Sequence, residues 1–599
     1  MPDGQSILFT AHRGEHTSIY QLPMAGGEAK PLVLKVTPLV DMSKVPNAIP
    51  PAKGDATRPD KVEPVVVDAG GFKVSPDGKT IALLIRDPQT AGEKREKDAK
   101  ADAAWVNHDE HRERLYLMDM TSGKISAPAN IPGDARGALW TPDSKRIAAL
   151  ANAPNGQSDL APAGSVWLLS ADDLEHPAKL EAIPPTAASL VWSENGADLM
   201  FEAQARIDAP PGFHDLYAYN TSSKSIKNLT DGLAGSIGRE PVVLKDGSIV
   251  SLLEQGFQEA PARLAPNARP ELFPMPVPVI NTMETNEAQN GWVFLGSGAG
   301  HTPALYFADK LGGPVRMLST PAVVPAGLET TVAGKHIEWK NEGLTIEGML
   351  YLPPEAAIGK VPLIVEVHGG PMGGYVDSYS QFDAWLLGHG WAVLRTNPRG
   401  STGRGAAFAA ANHNDLGGAD YRDIMAGVDC VLKTEPLDES RMALEGYSYG
   451  GEMAAFVEGK TTRFKAIVSM APVIDQQSEY GTESGSAYDR WYYGKPWEHE
   501  ADAWRQSPLS GAAKAKTPFM LLQGESDTTD PLGQSQEMYR ALRQEGVEVD
   551  LVTYPRDNHG PLGGAINGAP VREPWHGFDA RQRIEQFIQK AFAGASKSN

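Results

Sequence analysis

Along the first half of the chain, short runs of alternating apolar and polar residues recur around a polar turn. They are PDGQSILFTA (2–11), SPDGKTIALLI (75–85), TPDSKRIAALA (141–151), SENGADLMFEA (193–203) and KDGSIVSLLE (245–254). Each predicts a hairpin with an Asp-Gly type of turn. An aliphatic-aromatic pair opens a further strand after most of them: Ile19-Tyr20, Leu115-Tyr116, Val166-Trp167, Leu216-Tyr217 and Leu305-Tyr306. In the most regular stretch these pairs recur at roughly 50 residues, and that period with four strands per unit predicts a β-propeller. An irregular sandwich would not repeat in this way. The gap from Tyr217 to Leu305 has room for two units, and residues 30–70, rich in Pro and Val, hold either another unit or an insertion. We expect six or seven blades, the first one incomplete, over residues 1–325.

From about residue 326 the pattern changes. IEWKNEGLTIEGMLYLP (337–353) reads as a hairpin, and VPLIVEVHGGPMGG (361–374) opens with an apolar run suited to a strand buried on both faces. Helices then alternate with strands: a helix near 380–389, the strand WAVLRTNPRGS (391–401), a helix through YRDIMAGVDCVLK, and the strand RMALEGYSYGG. FKAIVSMAP (464–472), PFMLLQGESD (518–527), a helix through GQSQEMYRALRQEG (533–546), VEVDLVTYP (547–555) and a last helix over 579–593 complete the series. Alternation of this kind predicts a mostly parallel α/β sheet over 326–599.

Composition narrows the function classes. The 599 residues exceed what one core can serve, and 41% hydrophobic with 22% charged residues is ordinary for a globular protein. A formal charge of −20 without a basic stripe argues against nucleic acid as a partner. The mixed-sign run EKREKDAKADAAW (93–105) and the nearby HDEH (108–111) read as solvated surface. The single cysteine, Cys430, excludes an internal disulfide, and its helical setting predicts a small core residue. No stretch approaches the roughly 18 apolar residues of a membrane span. MPDGQSILFTAHR lacks the features of a secretory signal and reads as the middle of a hairpin, as if the natural start had been removed. The compartment is then cytoplasmic or, with a signal removed, periplasmic or secreted. No metal or nucleotide motif stands out, and we expect no cofactor.

Candidate chemistry centres on LEGYSYGGEM (444–453), where G-x-S-x-G sits between an apolar strand and helix-forming residues from Glu452 onward. Such a turn presents Ser448 as a nucleophile on a strained backbone, with small residues where strand and helix crowd together. A serine hydroxyl needs a base, and the base needs an orienting acid. In an α/β-hydrolase the acid and then the base follow the serine, each after a strand. ESDTTDP offers Glu525, Asp527 and Asp530, and RDNHG offers His559. For the oxyanion, one donor is the N–H of Tyr449 and the other comes from Gly369 or Gly370 in VHGGP.

A propeller followed by HGGP, NPRGSTGRG, GYSYGG, GESDTTDP and YPRDNHG resembles the prolyl oligopeptidase family of serine peptidases, and more closely its acylaminoacyl-peptidase and dipeptidyl-peptidase-like branch. The resemblance covers nearly the whole chain, through motifs in the second half and architecture in the first. It implies Ser448 as nucleophile, His559 as base and Asp527 as the acid, three residues after the glycine of QGESD. It also implies a propeller that covers the site and restricts entry to short peptides or chain ends. Two positions depart from the pattern: relatives often carry Asp-x-Arg-x-Pro, where this chain has Thr529 in place of the arginine and Asp530 before Pro531. No paired-glutamate anchor for a free amino terminus is evident. The expectation is a serine peptidase acting on short peptides, with self-association left open. A carboxylesterase or another acyl hydrolase with the same triad is the alternative, and a propeller binding module with a dead hydrolase domain is the non-enzymatic one.

Overall fold

The computed structural model describes residues 1–13, 16–37, 65–89, 97–101, 103, 111–153, 164–204, 210–238, 241–264, 269–286, 288–319, 333–485, 487–560 and 573–597. Its contacts separate two compact units, Met1–Ala203 with Tyr217–Lys227, and Gln204–Leu216 with Asn228–Asn599. The boundary expected at 325/326 and most of the 30–70 segment lie outside the described residues.

The first unit is a succession of small antiparallel sheets made of consecutive strands. One holds Ser6–Arg13, His16–Pro23 and Lys30–Leu32; another holds Gly71–Val74, Thr80–Arg86 and Glu113–Asp119. A third holds Ala135–Trp140, Arg146–Asn152, Gly164–Ser170 and Asp173–Lys179, and Ala188–Trp192 then pairs with Asp198–Gln204. In the second unit the same grammar continues through Ile249–Gln255, Gln258–Leu264, Trp292–Gly298 and His301–Ala308.

The repeated turn has a repeated cause. At its second position an Asp or Asn carboxyl or amide oxygen accepts the backbone N–H two residues on: Gln5 to Asp3 at 2.9 Å, Lys79 to Asp77 at 3.1 Å, Lys145 to Asp143 at 3.1 Å, Ala197 to Asn195 at 3.0 Å and Ser248 to Asp246 at 2.9 Å. The next residue takes positive φ in every copy, which is why glycine fills it everywhere except at Ser144. The aliphatic-aromatic pair keeps its phase through Ile19, Leu115, Val166 and Leu216, all fully buried, and slips in the last copy, where Leu305 is exposed and Tyr306 buried.

The second half forms an eight-stranded sheet: β1 (Lys335–Asn341), β2 (Leu344–Tyr351), β3 (Val361–Val367), β4 (Ala392–Asn397), β5 (Leu437–Tyr447), β6 (Ala466–Met470), β7 (Phe519–Gly524) and β8 (Val549–Tyr554). Its order is β1-β2-β4-β3-β5-β6-β7-β8, antiparallel at β2 and parallel from β4 to β8. Helices α1 (Gln381–Gly388), α2 (Ala419–Thr434), α3 (Tyr449–Glu458), α4 (Leu532–Gln544) and α5 (Pro574–Lys597) cover it. Because side chains alternate along a strand, Leu363, Val365, Met442 and Leu444 face α2, α3 and α4, whereas Ile364, Ala443, Val468 and Met520 face α1 and α5. Every residue of β3 is buried, as its unbroken apolar run requires. Burying side chains such as Leu444 stabilises the sheet by about 1.5–3 kcal/mol each.

Three expectations need correcting. α3 begins at Tyr449 rather than near Glu452, and α5 begins at Pro574 rather than 579. Cys430 is half-buried, on the flank of the small cluster formed by Trp339, Ile346 and Phe408, and is not a core residue. The helix stripe that suggested the core is completed by Ile424, Val428 and Val431 without it. Among the described residues no helix is long and apolar enough to cross a membrane.

Candidate active site

Ser448 stands at the junction of β5 and α3 with φ 60° and ψ −123°, a conformation that costs a non-glycine residue of order 1–3 kcal/mol. Its N–H donates to the carbonyl of Met470 on β6 at 2.9 Å, which fixes the turn against the neighbouring strand. The glycines around it are demanded by space. A Cβ on Gly446 would lie 2.3 Å from the Gly450 backbone, one on Gly450 2.1 Å from the carbonyl oxygen of Val367, and one on Gly451 2.5 Å from that of Met470. We therefore expect Gly450→Ala to lower stability by about 1–3 kcal/mol, as other overpacked sites do, read as a lower urea midpoint.

The strand-following loops bring Asp527 and His559 to this turn. His559 Nε2 lies 3.0 Å from Ser448 Oγ, and Nδ1 lies 3.0 Å from Asp527 Oδ2. Both Asp527 oxygens are fully used: Oδ1 accepts the N–H groups of Thr529 and Asp530 at 2.9 and 3.0 Å, and Oδ2 also accepts Gln523 Nε2 at 3.0 Å. Asp530 holds its Oδ2 4.0 Å from His559 Nδ1, and that oxygen has no hydrogen-bond partner. Glu525, the remaining acidic residue of the loop, instead accepts from Thr553 Oγ1 at 2.8 Å.

Electrostatics follow from this arrangement. Burial pulls the His559 imidazole pKa down, but the Asp527 hydrogen bond and the charges of Asp530 and Asp527 outweigh it and leave the group above its ordinary value. Burial raises Asp530 well above the usual carboxylate range; His559 opposes this, while Asp527 and Asp489 add to it.

On the opposite side of Ser448 lies the turn after β3. A Cβ on Gly369 would sit 3.5 Å from Ser448 Cβ, so the HGGP backbone passes close to the hydroxyl. The buried His368 Nδ1 donates to the carbonyl of Gly369 at 2.8 Å. Burial holds this imidazole at a pKa of about 4, so it is neutral at physiological pH. Fixing that carbonyl also fixes the N–H of Gly370, because the two point opposite ways across a trans peptide. Tyr449 opens α3, so its N–H has no acceptor within the helix.

Residues 378–594 match the prolyl oligopeptidase family. They form a prolyl oligopeptidase family domain. Relatives include an uncharacterized peptidase, YuxL, of Bacillus subtilis, 36% identical over 229 residues that cover 37% of this chain and 34% of the relative. The acylamino-acid-releasing enzyme of Rattus norvegicus is 28% identical over 380 residues, covering 61% of this chain and 46% of the relative. The chain thus spans about a third to a half of the length of these curated relatives. Among solved structures, acylaminoacyl peptidase of Pyrococcus horikoshii aligns with a TM-score of 0.76 at 19% identity, over 98% of this chain and 87% of that one. A puromycin-hydrolyzing peptidase of Mycobacterium tuberculosis aligns with a TM-score of 0.70 at 18% identity, over 98% and 86%. The fold is that of a propeller followed by an α/β-hydrolase.

Sequence reasoning missed several residues around the family domain's serine. Tyr447 donates its hydroxyl to the carbonyl of Gly560 and so ties the His559 loop to the nucleophile turn. Gln523 is legible only as part of β7, because its partners Asp527 and Asp530 lie in a loop and Ser535 on α4. Glu479, Glu483 and Asp489 belong to the stretch between β6 and β7, where Gln476–Glu479 and Ala487–Tyr492 are helices too short for any periodicity to announce them.

Proposed function

We propose that this protein is a serine peptidase that hydrolyses short peptides through an acyl-enzyme, with Ser448 as nucleophile, His559 as base and Asp527 as the orienting acid. The observation that carries this reading is the unbroken hydrogen-bond chain from Ser448 through His559 to Asp527 at a strained strand-to-helix turn. His559 takes the hydroxyl proton as Ser448 attacks the carbonyl, and later delivers it to the leaving amine. The N–H groups of Tyr449 and of Gly369 or Gly370 receive the oxyanion. We read residues 1–325 as a propeller of six or seven blades, the first incomplete, and 326–599 as the hydrolase domain. The acylamino-acid-releasing relatives and the peptidase neighbours support peptides as substrates.

A mixed peptide library with free and N-acetylated members, digested by wild type and by Ser448→Ala and followed by mass spectrometry, tests this. Terminal residues removed by the wild type alone support the peptidase and tell acylaminoacyl from dipeptide release. An enzyme that reacts with a fluorophosphonate yet cleaves no peptide is instead an esterase or acyl hydrolase. Thr529, which supplies no positive charge for a substrate carbonyl, is the observation that favours this second reading.

As the base must be neutral to act, activity should rise as pH passes upward through the His559 pKa. Asp530 contributes to raising that pKa. Asp530→Asn is therefore expected to move the ascending limb of kcat/KM to lower pH, with kcat retained within about tenfold, in contrast to loss of the acid.

A further inference from the structure

Behind the turns that carry the proposed chemistry, on the sheet face covered by α1 and α5, four charged side chains are buried together. They are Glu366 on β3, Asp383 on α1, Arg395 on β4 and Glu445 on β5, none more than 7% exposed. The parallel register sets Glu366 directly beside Arg395 on one side and Glu445 on the other. Neighbours of this kind stand about 4.8 Å apart on one face of the sheet. Arg395 donates from Nε to Glu366 Oε2 at 2.8 Å and from Nη2 to Asp383, so one guanidinium serves these two acids. Glu445 has no such cation among the described residues. Its Oε2 and the remaining Glu366 oxygen, Oε1, are both buried with no partner outside the pair among the described residues.

The two carboxyls are hydrogen-bonded to each other, which requires a proton on one of them. Glu445 carries it. Burial, the charge of Glu366 and the bond to it, and then Asp383 raise Glu445 well above the usual carboxylate range, against the pull of Arg395. The other neighbours offer no charge to replace the proton: Val468 of β6 lies beside Glu445 in register, and α5 packs Ile584 and Ile588 on this face. The rings of Tyr351 and Tyr375 lie 5.9 and 4.7 Å from the Arg395 guanidinium, and the Tyr351 hydroxyl donates to Asp377 at 3.0 Å. This buried group touches both halves of the site. Glu445 stands three residues before Ser448, and Glu366 two residues before His368 at the HGGP turn. A second route runs through Tyr375, which is stacked on Arg395, meets the His368 ring edge-on and is clamped at its N–H and carbonyl by Asn397 at 2.8 and 2.9 Å.

We propose that Glu445, bonded as a neutral carboxyl to Glu366, is a positioning residue that holds the oxyanion turn against the nucleophile turn, so that Ser448 loses reactivity when that proton leaves. The inference rests on the reading of Ser448 as nucleophile and of the HGGP turn as oxyanion donor. With the proton gone, two carboxylates face each other across β3 and β5, and one guanidinium stands against three acids. Their repulsion parts the ends of the two strands, where a misplacement of about 1 Å costs a reaction up to about a hundredfold.

The test follows the rate of fluorophosphonate labelling from pH 6 to pH 10, with circular dichroism confirming the fold at each pH. Labelling needs the serine and its oxyanion donors but no particular substrate. The wild-type rate should rise through the His559 pKa and then fall at least tenfold by pH 10. In Glu445→Gln the amide still donates to Glu366 and has no proton to lose, so the fall should be less than threefold. Glu366→Gln should behave alike, because Glu445 then ionises beside an amide that donates to it. A fall of threefold or more in a folded variant, or of less than tenfold in the wild type, overturns the inference and leaves Ser448 as nucleophile. A wild type that is not labelled at Ser448 overturns the reading of the nucleophile, and this inference with it. Should one variant melt early, the other decides; should both, the wild-type profile decides alone.

Discussion

Replacing Ser448 with alanine is expected to lower turnover by about a million-fold, with the fold unchanged. Alanine carries a Cβ like serine, so the backbone at φ 60° is no more strained than before, and the N–H to Met470 remains. What disappears is the atom placed 3.0 Å from His559 Nε2 to attack a carbonyl. The residual rate reflects the backbone donors and substrate binding. Steady-state hydrolysis of the preferred substrate measures the loss, and a fluorophosphonate should no longer label the protein. Persistent labelling would place the nucleophile elsewhere.

Asp527→Asn should cost about ten-thousand-fold in kcat. The cause is a mismatch of donors. Both carboxylate oxygens accept from two groups each, the N–H groups of Thr529 and Asp530 on one side, Gln523 Nε2 and His559 Nδ1 on the other. An amide can turn its oxygen to only one side, so its NH2 must confront donors on the other. If the loop keeps the oxygen, His559 adopts the wrong tautomer and presents a proton to Ser448. Asp530→Asn carries no such conflict, since Asp530 Oδ2 has no hydrogen-bond donor to lose. Kinetics of the two variants side by side rank them, and a larger loss from Asp530→Asn would make Asp530 the acid.

The same residues explain what the chain discloses before it folds. The hairpin turns are legible because a local Asp or Asn hydrogen bond and a positive φ recur wherever strands must reverse, and local geometry leaves a local signature. Ser448 is legible because the turn sets glycines at fixed offsets around it, although two of them relieve contacts with Val367 on β3 and Met470 on β6. The choice of acid is not: Asp527 and Asp530 stand in one loop, and only the distances to His559, 3.0 against 4.0 Å, separate them. Least legible is Glu479 with its acidic neighbours. An acidic side chain in a polar stretch reads as solvated, and its burial arises from packing across segments far apart in sequence.

The position of the site in the sheet bears on how the enzyme loses activity. Ser448 follows β5, well inside the sheet, whereas the acid follows β7 and the base follows β8 at the sheet's edge. The two outer loops are laced together by Glu525 N–H to the Tyr554 carbonyl at 2.9 Å and Ser526 N–H to the Asp557 carbonyl at 2.8 Å. Edge strands open at lower free energy than central ones. Fraying at β8 is therefore expected to draw the base away while Gln523 of β7 keeps the acid in place, and to leave the serine standing without a proton acceptor. Inactivation on warming is thus expected to begin as a reversible disarming of an otherwise folded molecule, with activity returning when the edge closes.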